Sequence, residues 1–201
     1  MIFDPNLPIS GTVSDVLSPK QCSDVIEWAI SHGREQRSHI GSGQNPRIRS
    51  GRTIFFINPK IWEIIWPQVE MVNKSSGWNY VVEGLETFQM VIYDKTDHYL
   101  WHPDSTLVPK ELCGKDNQYR KLSFSILLND PSEYEGGEFM IEERNLHRQS
   151  ENVGDFYLER EVPLKQGEMV VFPSNALHRV QPVTSGTRYV LVGWIYGPPA
   201  V

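Results

Sequence analysis

Two segments near the start of the chain carry apolar residues at helical spacing. The first begins at Ser18-Pro19-Lys20-Gln21, where a serine cap, a proline at the first helical position and a glutamine three residues after the cap form a capping box. The apolar residues that follow fit the i, i+3, i+4, i+7, i+8 pattern of one buried face: Cys22, Val25, Ile26, Ala29 and Ile30. This pattern predicts a helix that ends at Gly33.

A second helix is predicted after Asn58-Pro59, where an apolar stripe includes Ile61 and Ile65. Pro67 is expected to kink or end this helix, and Ser75-Ser76-Gly77 closes the segment. Between the two helices, Ser38–Arg52 is rich in Gly, Ser and Arg and is interpreted as a loop. The loop is either a solvated connector or a lid over a substrate, and it leads into a strand at Thr53–Ile57.

From Trp78 onward the pattern changes to short apolar segments separated by turn residues such as Asn129-Asp130-Pro131 and Gly136-Gly137. The predicted strands are Thr87–Tyr93, Leu122–Leu128, Glu138–Ile141, Glu168–Phe172, Leu177–Gln181 and Thr187–Ile195. The polar stretch Arg144–Arg160 is interpreted as a surface excursion. Many short strands at this spacing predict a β-sandwich or β-barrel.

Composition narrows the class of protein further. The chain has 201 residues, of which 39% are hydrophobic, so it is long and apolar enough for one compact domain with a substantial core. Its net charge of −6 argues against a nucleic-acid backbone as the main partner. Two cysteines, Cys22 and Cys113, are too few for a disulfide framework. The N-terminus lacks the features of a secretion signal, and no apolar run approaches the length of a membrane span. The chain is therefore predicted to be cytoplasmic, with no membrane partner.

Three residues form a candidate metal site. His102 and Asp104 are two positions apart in an extended segment, so their side chains project from the same face. His178 stands at the start of a β-patterned segment further along the chain. Two histidines and one carboxylate on a β scaffold form a facial triad, which leaves three positions open on Fe(II). Zinc prefers a tetrahedral site, and a zinc hydrolase with the same ligands stays open as an alternative.

Arg188 follows His178 by ten residues and is a candidate anion partner. If the last two predicted strands form a hairpin with the three-residue loop Thr184-Ser185-Gly186, Arg188 lies on the same side as His178. A buried guanidinium there needs an anion, and its planar fork suits a carboxylate. A two-residue loop would reverse the side, so an exposed arginine in a surface ion pair remains an alternative.

Taken together, Tyr93, His102-Pro103-Asp104, Glu135-Gly136-Gly137-Glu138, His178 and Arg188 resemble the prolyl-4-hydroxylase-like 2-oxoglutarate/Fe(II) dioxygenases, and most closely the PKHD-type hydroxylases of bacteria and phages. The resemblance covers roughly Thr87 to Tyr196. It implies a mainly β fold, a double-stranded β-helix with flanking N-terminal helices. Residues 1–86 would pack as helices and supporting strands on a core of residues 87–201, in one compact catalytic domain.

The resemblance also implies roles for single residues. His102, Asp104 and His178 would bind Fe(II), Arg188 would pair with the distal carboxylate of 2-oxoglutarate, and Tyr93 would hydrogen-bond the same carboxylate. Leu127 and Phe139 fall where family members line the co-substrate pocket, although both also suit an ordinary core. Arg120 and Trp101 flank the expected mouth of the site and are candidate substrate contacts.

The implied reaction is hydroxylation of an unactivated C–H bond, most simply of a peptidyl residue such as proline, with O₂ consumed and succinate and CO₂ released. Ascorbate as a reductant is an expectation of the family alone. Two alternatives remain open at this point. The same chemistry would also act on a free amino acid or another small molecule, and a non-catalytic β-helix binding module would keep the shape without turnover.

Overall fold

The structure is a computed structural model that describes residues 7–37, 45, 47–144 and 157–199. Its helices are α1 (Pro19–His32), α2 (Pro59–Ser75) and α3 (Lys110–Cys113). The predicted capping box is confirmed, because Ser18 and Gln21 exchange hydrogen bonds in both directions, and Gly33 caps the end of α1. No helix in the described residues has the length and apolar character needed to cross a membrane.

Helix α2 begins after its Asn58 cap and continues through Pro67 to Ser75. The expectation that Pro67 ends the helix is therefore wrong. A proline in a helix interior costs about 3 kcal/mol. The buried face of α2, which includes Ile65 and Val69, offsets that cost, since each fully buried aliphatic side chain contributes roughly 1.5–3 kcal/mol.

The strands in the described residues are β1 (Gly11–Val13), β2 (Arg34–Arg37), β3 (Arg52–Phe56), β4 (Gly84–Leu85), β5 (Phe88–Tyr93), β6 (Tyr99–His102), β7 (Leu107–Val108), β8 (Gln118–Leu127), β9 (Tyr134–Gly136), β10 (Phe139–Arg144), β11 (Tyr157–Glu161), β12 (Met169–Pro173), β13 (His178–Val180), β14 (Val183–Gly186) and β15 (Arg188–Gly197). A 3-10 turn at Pro131–Glu133 precedes β9. Each of the predicted strands overlaps an observed one. The mainly β fold with flanking helices is confirmed.

The strands form antiparallel sheets. In the residues that the structure describes, the major sheet has nine strands, ordered β1-β12-β8-β15-β5-β3-β2, with β4 paired to β15 and β7 to β8. The minor sheet has four strands in the order β11-β10-β13-β6, and β14 pairs with β9 in a separate two-stranded ribbon. Strand β2 was not predicted because it is polar, as expected for a strand at the edge of a sheet.

The predicted hairpin between the strands of His178 and Arg188 is wrong. Strand β13 pairs with β10 and β6 in the minor sheet, whereas β15 pairs with β5, β8 and β4 in the major sheet. The segment read as the hairpin loop lies in β14, which pairs with β9. The chain crosses from one sheet to the other between His178 and Arg188, so the two residues face each other across the sandwich.

Two of the predicted irregular segments lie partly outside the described residues. In Ser38–Arg52, residues 38–44 and 46 are not described, and the last residue, Arg52, begins β3. In Arg144–Arg160, residues 145–156 are not described. The two ends of that segment belong to β10 and β11, which pair with each other; the described part of β11 is largely exposed, which agrees with a surface position.

The major sheet buries both of its faces. One face packs against α1 and α2 through residues such as Met90, Ile126 and Leu191. The other face packs against the minor sheet through residues such as Val91 and Val190. This second layer, between the two sheets, contains the candidate site.

Candidate functional site

The two candidate histidines are neighbours in the minor sheet. His102 in β6 and His178 in β13 are register partners, and their ring centroids are 4.2 Å apart. Asp104 follows β6 by two residues, and its backbone N–H donates to the carbonyl of Ser174 at 2.7 Å. Antiparallel pairing thus brings His178 beside the His102-Pro103-Asp104 segment, from which it is widely separated in the sequence.

The donor atoms of these three residues converge. His102 Nε2 lies 3.7 Å from Asp104 Oδ1, and His178 Nε2 lies 3.4 Å from Asp104 Oδ2. All three potential ligand atoms lie within 4.8 Å of one another, which suits a single metal ion. The sequence-based grouping of His102, Asp104 and His178 therefore corresponds to one cluster in the fold.

Backbone hydrogen bonds orient both imidazoles. His102 Nδ1 lies 2.7 Å from the carbonyl of Leu100, and His178 Nδ1 lies 3.0 Å from the carbonyl of Ala176. A carbonyl oxygen only accepts, so each Nδ1 carries the proton and each Nε2 keeps its lone pair toward the centre of the cluster. This arrangement is typical of histidine ligands of metals.

The electrostatics of the cluster favour a neutral imidazole at His102 and an ionised carboxylate at Asp104. Burial and the neighbouring charge of His178 lower the pKa of His102 to about 3. Burial by itself raises the pKa of Asp104, but the charges of His178 and His102 outweigh it and bring that pKa below its ordinary value. Neutral imidazole nitrogens and an ionised carboxylate are the protonation states in which these groups bind a divalent metal.

The cluster opens into a cavity between the sheets. The walls are largely apolar, and Phe139 and Phe172 stand beside His178 at ring-centroid distances of 5.6 and 4.6 Å. Tyr93 and Arg188 are also on the wall. His178 and Arg188 are both buried on this wall, and burial strengthens the charge interactions that such groups make.

Arg188 is the unusual residue of this wall. It is 3% exposed, and neither its Nε nor its Nη1 has a hydrogen-bond partner among the described residues. Its register partner across β15 and β5 is Tyr93, whose ring centroid lies 5.9 Å from the guanidinium carbon. Burial raises the pKa of Tyr93, so its hydroxyl keeps its proton as a hydrogen-bond donor. The pair leaves guanidinium N–H groups available to an anion.

The two residues expected to line the co-substrate pocket differ in position. Phe139 lines the cavity of the histidine cluster. Leu127 does not; it lines an adjacent cavity, which Arg188 and Phe139 also reach. Leu127 belongs to the core between the sheets.

The two candidate substrate contacts also differ in position. Arg120 lines a wider cleft beside Asp104, and its guanidinium donates hydrogen bonds to the carboxylate of Glu86. Trp101 lines neither this cleft nor the cavity in the described part of the chain, and Arg179 lies over its ring at 4.8 Å. Alternation along β6 turns Trp101 to the face opposite His102.

Two further residues at the site were not singled out from the sequence. Arg49 lines both the cavity and the cleft, and its guanidinium lies 4.7 Å from the centroid of Tyr99. It comes from the Gly- and Ser-rich loop, in which no periodicity marks one residue over another. Trp194 also lines both the cavity and the cleft. Its place in the site could have been found from the sequence, because alternation along β15 puts it on the same face as Arg188.

Comparisons with known proteins agree with this geometry. Residues 88–196 match the family model described as the 2OG-Fe(II) oxygenase superfamily. A PKHD-type hydroxylase of Prochlorococcus marinus is 44% identical over 85 residues, which are 40% of this chain and 33% of that protein. The match spans only about a third to two fifths of the length of such curated relatives.

Solved structures share the fold. A viral collagen prolyl hydroxylase from Paramecium bursaria Chlorella virus-1, in its 2OG complex, superposes with a TM-score of 0.66 at 18% identity, covering 94% of this chain and 97% of that one. A prolyl hydroxylase from Trichoplax adhaerens, in complex with a peptide fragment, superposes with a TM-score of 0.67 at 14% identity, covering 94% and 83%. The expected double-stranded β-helix is thereby confirmed. The chain belongs to the 2OG-Fe(II) oxygenase superfamily.

Proposed function

We propose that this chain is an Fe(II)- and 2-oxoglutarate-dependent dioxygenase that hydroxylates an unactivated C–H bond. The observation that carries the proposal is the joint geometry of the cavity. Two imidazole Nε2 atoms and one carboxylate converge within 4.8 Å, and the same apolar cavity contains a buried arginine with N–H groups that have no partner in the described residues.

The donor set suits Fe(II). His102, Asp104 and His178 would hold the metal through two neutral nitrogens and one carboxylate, which leaves coordination positions for a chelating co-substrate and O₂. Iron bound there supplies the oxidative chemistry, in which 2-oxoglutarate and O₂ yield succinate, CO₂ and a hydroxylated substrate. A zinc hydrolase with these ligands would leave Arg188 without a role.

The other residues of the cavity would orient the co-substrate. Arg188 offers a planar set of N–H donors, which matches the distal carboxylate of 2-oxoglutarate. Tyr93, beside it, would donate its phenolic hydrogen to the same carboxylate. Because apolar side chains such as Phe139 and Val190 line the walls, this ion pair would form away from bulk water and be strengthened by the low dielectric.

For the substrate we propose a peptidyl residue, with proline as the first choice. The support is that the Trichoplax protein, whose fold this chain shares, is a prolyl hydroxylase in complex with a peptide fragment. A wide cleft also opens directly beside Asp104, where an extended segment of another chain has room to lie. O₂ is the second co-substrate, and ascorbate is included in the assay as a reductant.

The proposal is tested by succinate formation from 2-oxoglutarate under air, with and without Fe(II), and with proline-containing peptides beside matched peptides that carry alanine. We expect iron-dependent succinate that rises with the proline peptides and collapses in Arg188→Ala. Arg179→Ala is the matched control, because Arg179 pairs with Glu159 away from the cavity. Succinate that is independent of iron and of Arg188 would contradict the proposal.

A further inference from the structure

A further cavity adjoins the wide cleft beside Asp104. The cleft and this side cavity share Ser105 and Arg120 on their walls, and Ser105 directly follows Asp104 in the chain. A peptide long enough to fill the cleft therefore also reaches the side cavity. The polar side chains that line the side cavity include Ser105, Tyr119, Arg120, Lys121 and Asn175.

The backbone of Lys121 is tied to the segment that contains Asp104. The carbonyl of Lys121 accepts from the backbone N–H of Ser174 at 2.9 Å, and the carbonyl of Ser174 accepts from the backbone N–H of Asp104 at 2.7 Å. The hydroxyl oxygens of Ser174 and Ser123, which lies two residues beyond Lys121 in β8, are 3.0 Å apart. These hydrogen bonds fix the position of Lys121 relative to the candidate metal site.

The side chain of Lys121 is buried without a partner for its charge. Lys121 is 8% exposed, and lysine is seldom buried unless it is paired. Among the described residues its ammonium forms neither an ion pair nor a hydrogen bond, and the centroid of the Tyr119 ring lies 5.9 Å away. Burial lowers the pKa of Lys121, with no carboxylate opposing the change. The exposed Lys20, by contrast, pairs with Asp24 at 2.8 Å.

Arg120, the other basic residue of the side cavity, already has its counter-charge. Its Nε and Nη2 donate to the two carboxylate oxygens of Glu86 at 2.6 and 2.7 Å. No acidic residue lines the side cavity in the described part of the chain. The side cavity therefore carries one uncompensated positive charge, that of Lys121, beside the hydrogen-bond donors of Ser105 and Asn175.

We infer that the side cavity binds a carboxylate of the substrate, the side chain of an aspartate or glutamate near the hydroxylated residue, through Lys121. The inference deepens the proposed function and rests on it, since it takes the substrate to be a peptide in the wide cleft. A compact ammonium pairs with a carboxylate without the fixed planar geometry that a guanidinium requires. Salt screens a partly buried pair less than a pair on the open surface, so Lys121 favours acidic peptides over neutral ones of equal length.

The first test uses the iron-loaded chain under air with 2-oxoglutarate and proline-containing peptides. Each peptide carries one aspartate, at successive positions on either side of the proline, and each is matched by a peptide with asparagine at that position. We expect at least one aspartate position to lower KM by about tenfold relative to its asparagine match, with little change in kcat, because a charged hydrogen bond is gained.

Variants of Lys121 assign this preference to the side cavity. Lys121→Met keeps the length of the side chain and removes the charge, so the preference for aspartate should disappear while the fold is retained. Lys121→Glu should instead favour a peptide with lysine at the same position. Lys20→Met is the matched control, because Lys20 is an exposed lysine of α1 and its loss should leave the preference intact.

A second measurement follows the Lys121 amine without turnover. The lysines are reductively methylated with isotope-labelled methyl groups, and the Lys121 signal in the NMR spectrum is identified by its loss in Lys121→Met. Zn(II) and 2-oxoglutarate are present, which keeps the sample diamagnetic and prevents turnover. We expect the signal to shift with the preferred aspartate peptide and not with its asparagine match. An equal shift with inorganic phosphate at the same concentration would show a site for any small anion and overturn the assignment to the substrate.

The outcomes separate this inference from the proposed function. If proline peptides drive iron-dependent succinate formation but aspartate gives no advantage at any position, the inference alone is overturned. If the advantage persists in Lys121→Met, the carboxylate binds elsewhere and the role of Lys121 is overturned. If neither iron-dependent succinate nor 2-oxoglutarate binding is observed, the proposed function is overturned and the inference falls with it.

Discussion

Among single residues, Arg188 departs furthest from what a stable core requires. Its guanidinium is buried between the sheets, and two of its nitrogens have no hydrogen-bond partner among the described residues. A buried charge without a partner costs several kcal/mol, so a fold selected for stability alone would place an apolar residue here. We propose that an anion bound to the folded protein, the distal carboxylate of 2-oxoglutarate, accounts for this position.

This explanation predicts opposite effects on stability and on binding. Replacing a buried charged group with an apolar side chain of similar size is often neutral or stabilising by about 1–4 kcal/mol. We therefore expect Arg188→Met to keep or raise the melting temperature of the metal-free protein while abolishing 2-oxoglutarate binding. Arg179→Met, on a residue outside the cavity, should change neither property by much. A fall of many degrees in Arg188→Met would instead indicate a structural role.

The two cysteines provide a test of burial that does not involve the site. Cys22 is fully buried in α1, and burial raises the pKa of its thiol from 9.0 to about 11. The unfolded thiol ionises at lower pH than the folded one, so this contribution to stability is present below pH 9 and is lost as the pH rises toward 11.

We expect iodoacetamide at pH 8 to modify Cys113, which is partly exposed, and to leave Cys22 intact in the native protein. Mass spectrometry of peptides checks this result. Both cysteines should react in denaturant, which is the control for reagent access. Equal labelling of the two residues in the native protein would show that α1 is not packed on the core as described.

At the scale of elements, local sequence signals predicted the ends of α1 correctly, but the pairing of strands that lie far apart in the sequence was predicted wrongly. The start and end of α1 were predicted because a capping box and a terminal glycine act within a few residues. The pairing of β13 and β15 was predicted wrongly, because proximity in sequence favours a hairpin while the two strands belong to different sheets. Which sheet a strand joins depends on partners far away in the chain, such as β6 and β8.

Gly167 marks a turn on which the packing of α1 and β12 depends. Its φ is +81°, and a Cβ there would lie 1.8 Å from the carbonyl oxygen of Leu17. Gly114 has a similar φ of +73°, but a Cβ there would meet nothing within 4 Å. A comparison of alanine variants at the two glycines therefore separates the energetic cost of backbone strain from that of a steric clash.

We expect Gly114→Ala to cost roughly 1–2 kcal/mol, the cost of a left-handed conformation for a residue with a Cβ. Gly167→Ala pays the same strain and must also displace the backbone at Leu17, so its loss of stability should be clearly larger. Urea denaturation of both variants measures the difference. Equal losses would contradict the close contact between Gly167 and the segment before α1.

At the scale of the whole molecule, the site exists only where the two sheets face each other. The sequence predicted that His102, Asp104 and His178 would lie together, since the His102-x-Asp104 spacing with His178 is typical of a metal site, and the fold brings their donor atoms within 4.8 Å of one another. It grouped Arg188 with them through a hairpin that does not form, yet the residue reaches the same cavity from the opposite sheet. Arg188 and Trp194 line the same cavity, because alternation along β15 places both on one face of the strand.

The positions of Arg49 and Trp101 could not be predicted in the same way. Arg49 reaches the cavity through an isolated bridge to Tyr99, a contact that no periodic pattern announces. Trp101 neighbours a candidate ligand in sequence, but strand alternation turns it away from the cavity. Adjacency in the chain is thus a weaker guide to the site than position on a strand face.

Anaerobic binding of 2-oxoglutarate to the protein, measured with and without Fe(II), is the most direct test of the proposed site. We expect tight binding that requires the metal, because one end of the co-substrate would chelate iron, and that is lost in Arg188→Met, because the other end would pair with the guanidinium. Arg179→Met should bind as the unaltered chain does. Absence of binding to the iron-loaded protein, or binding that needs neither iron nor Arg188, would contradict the proposed site.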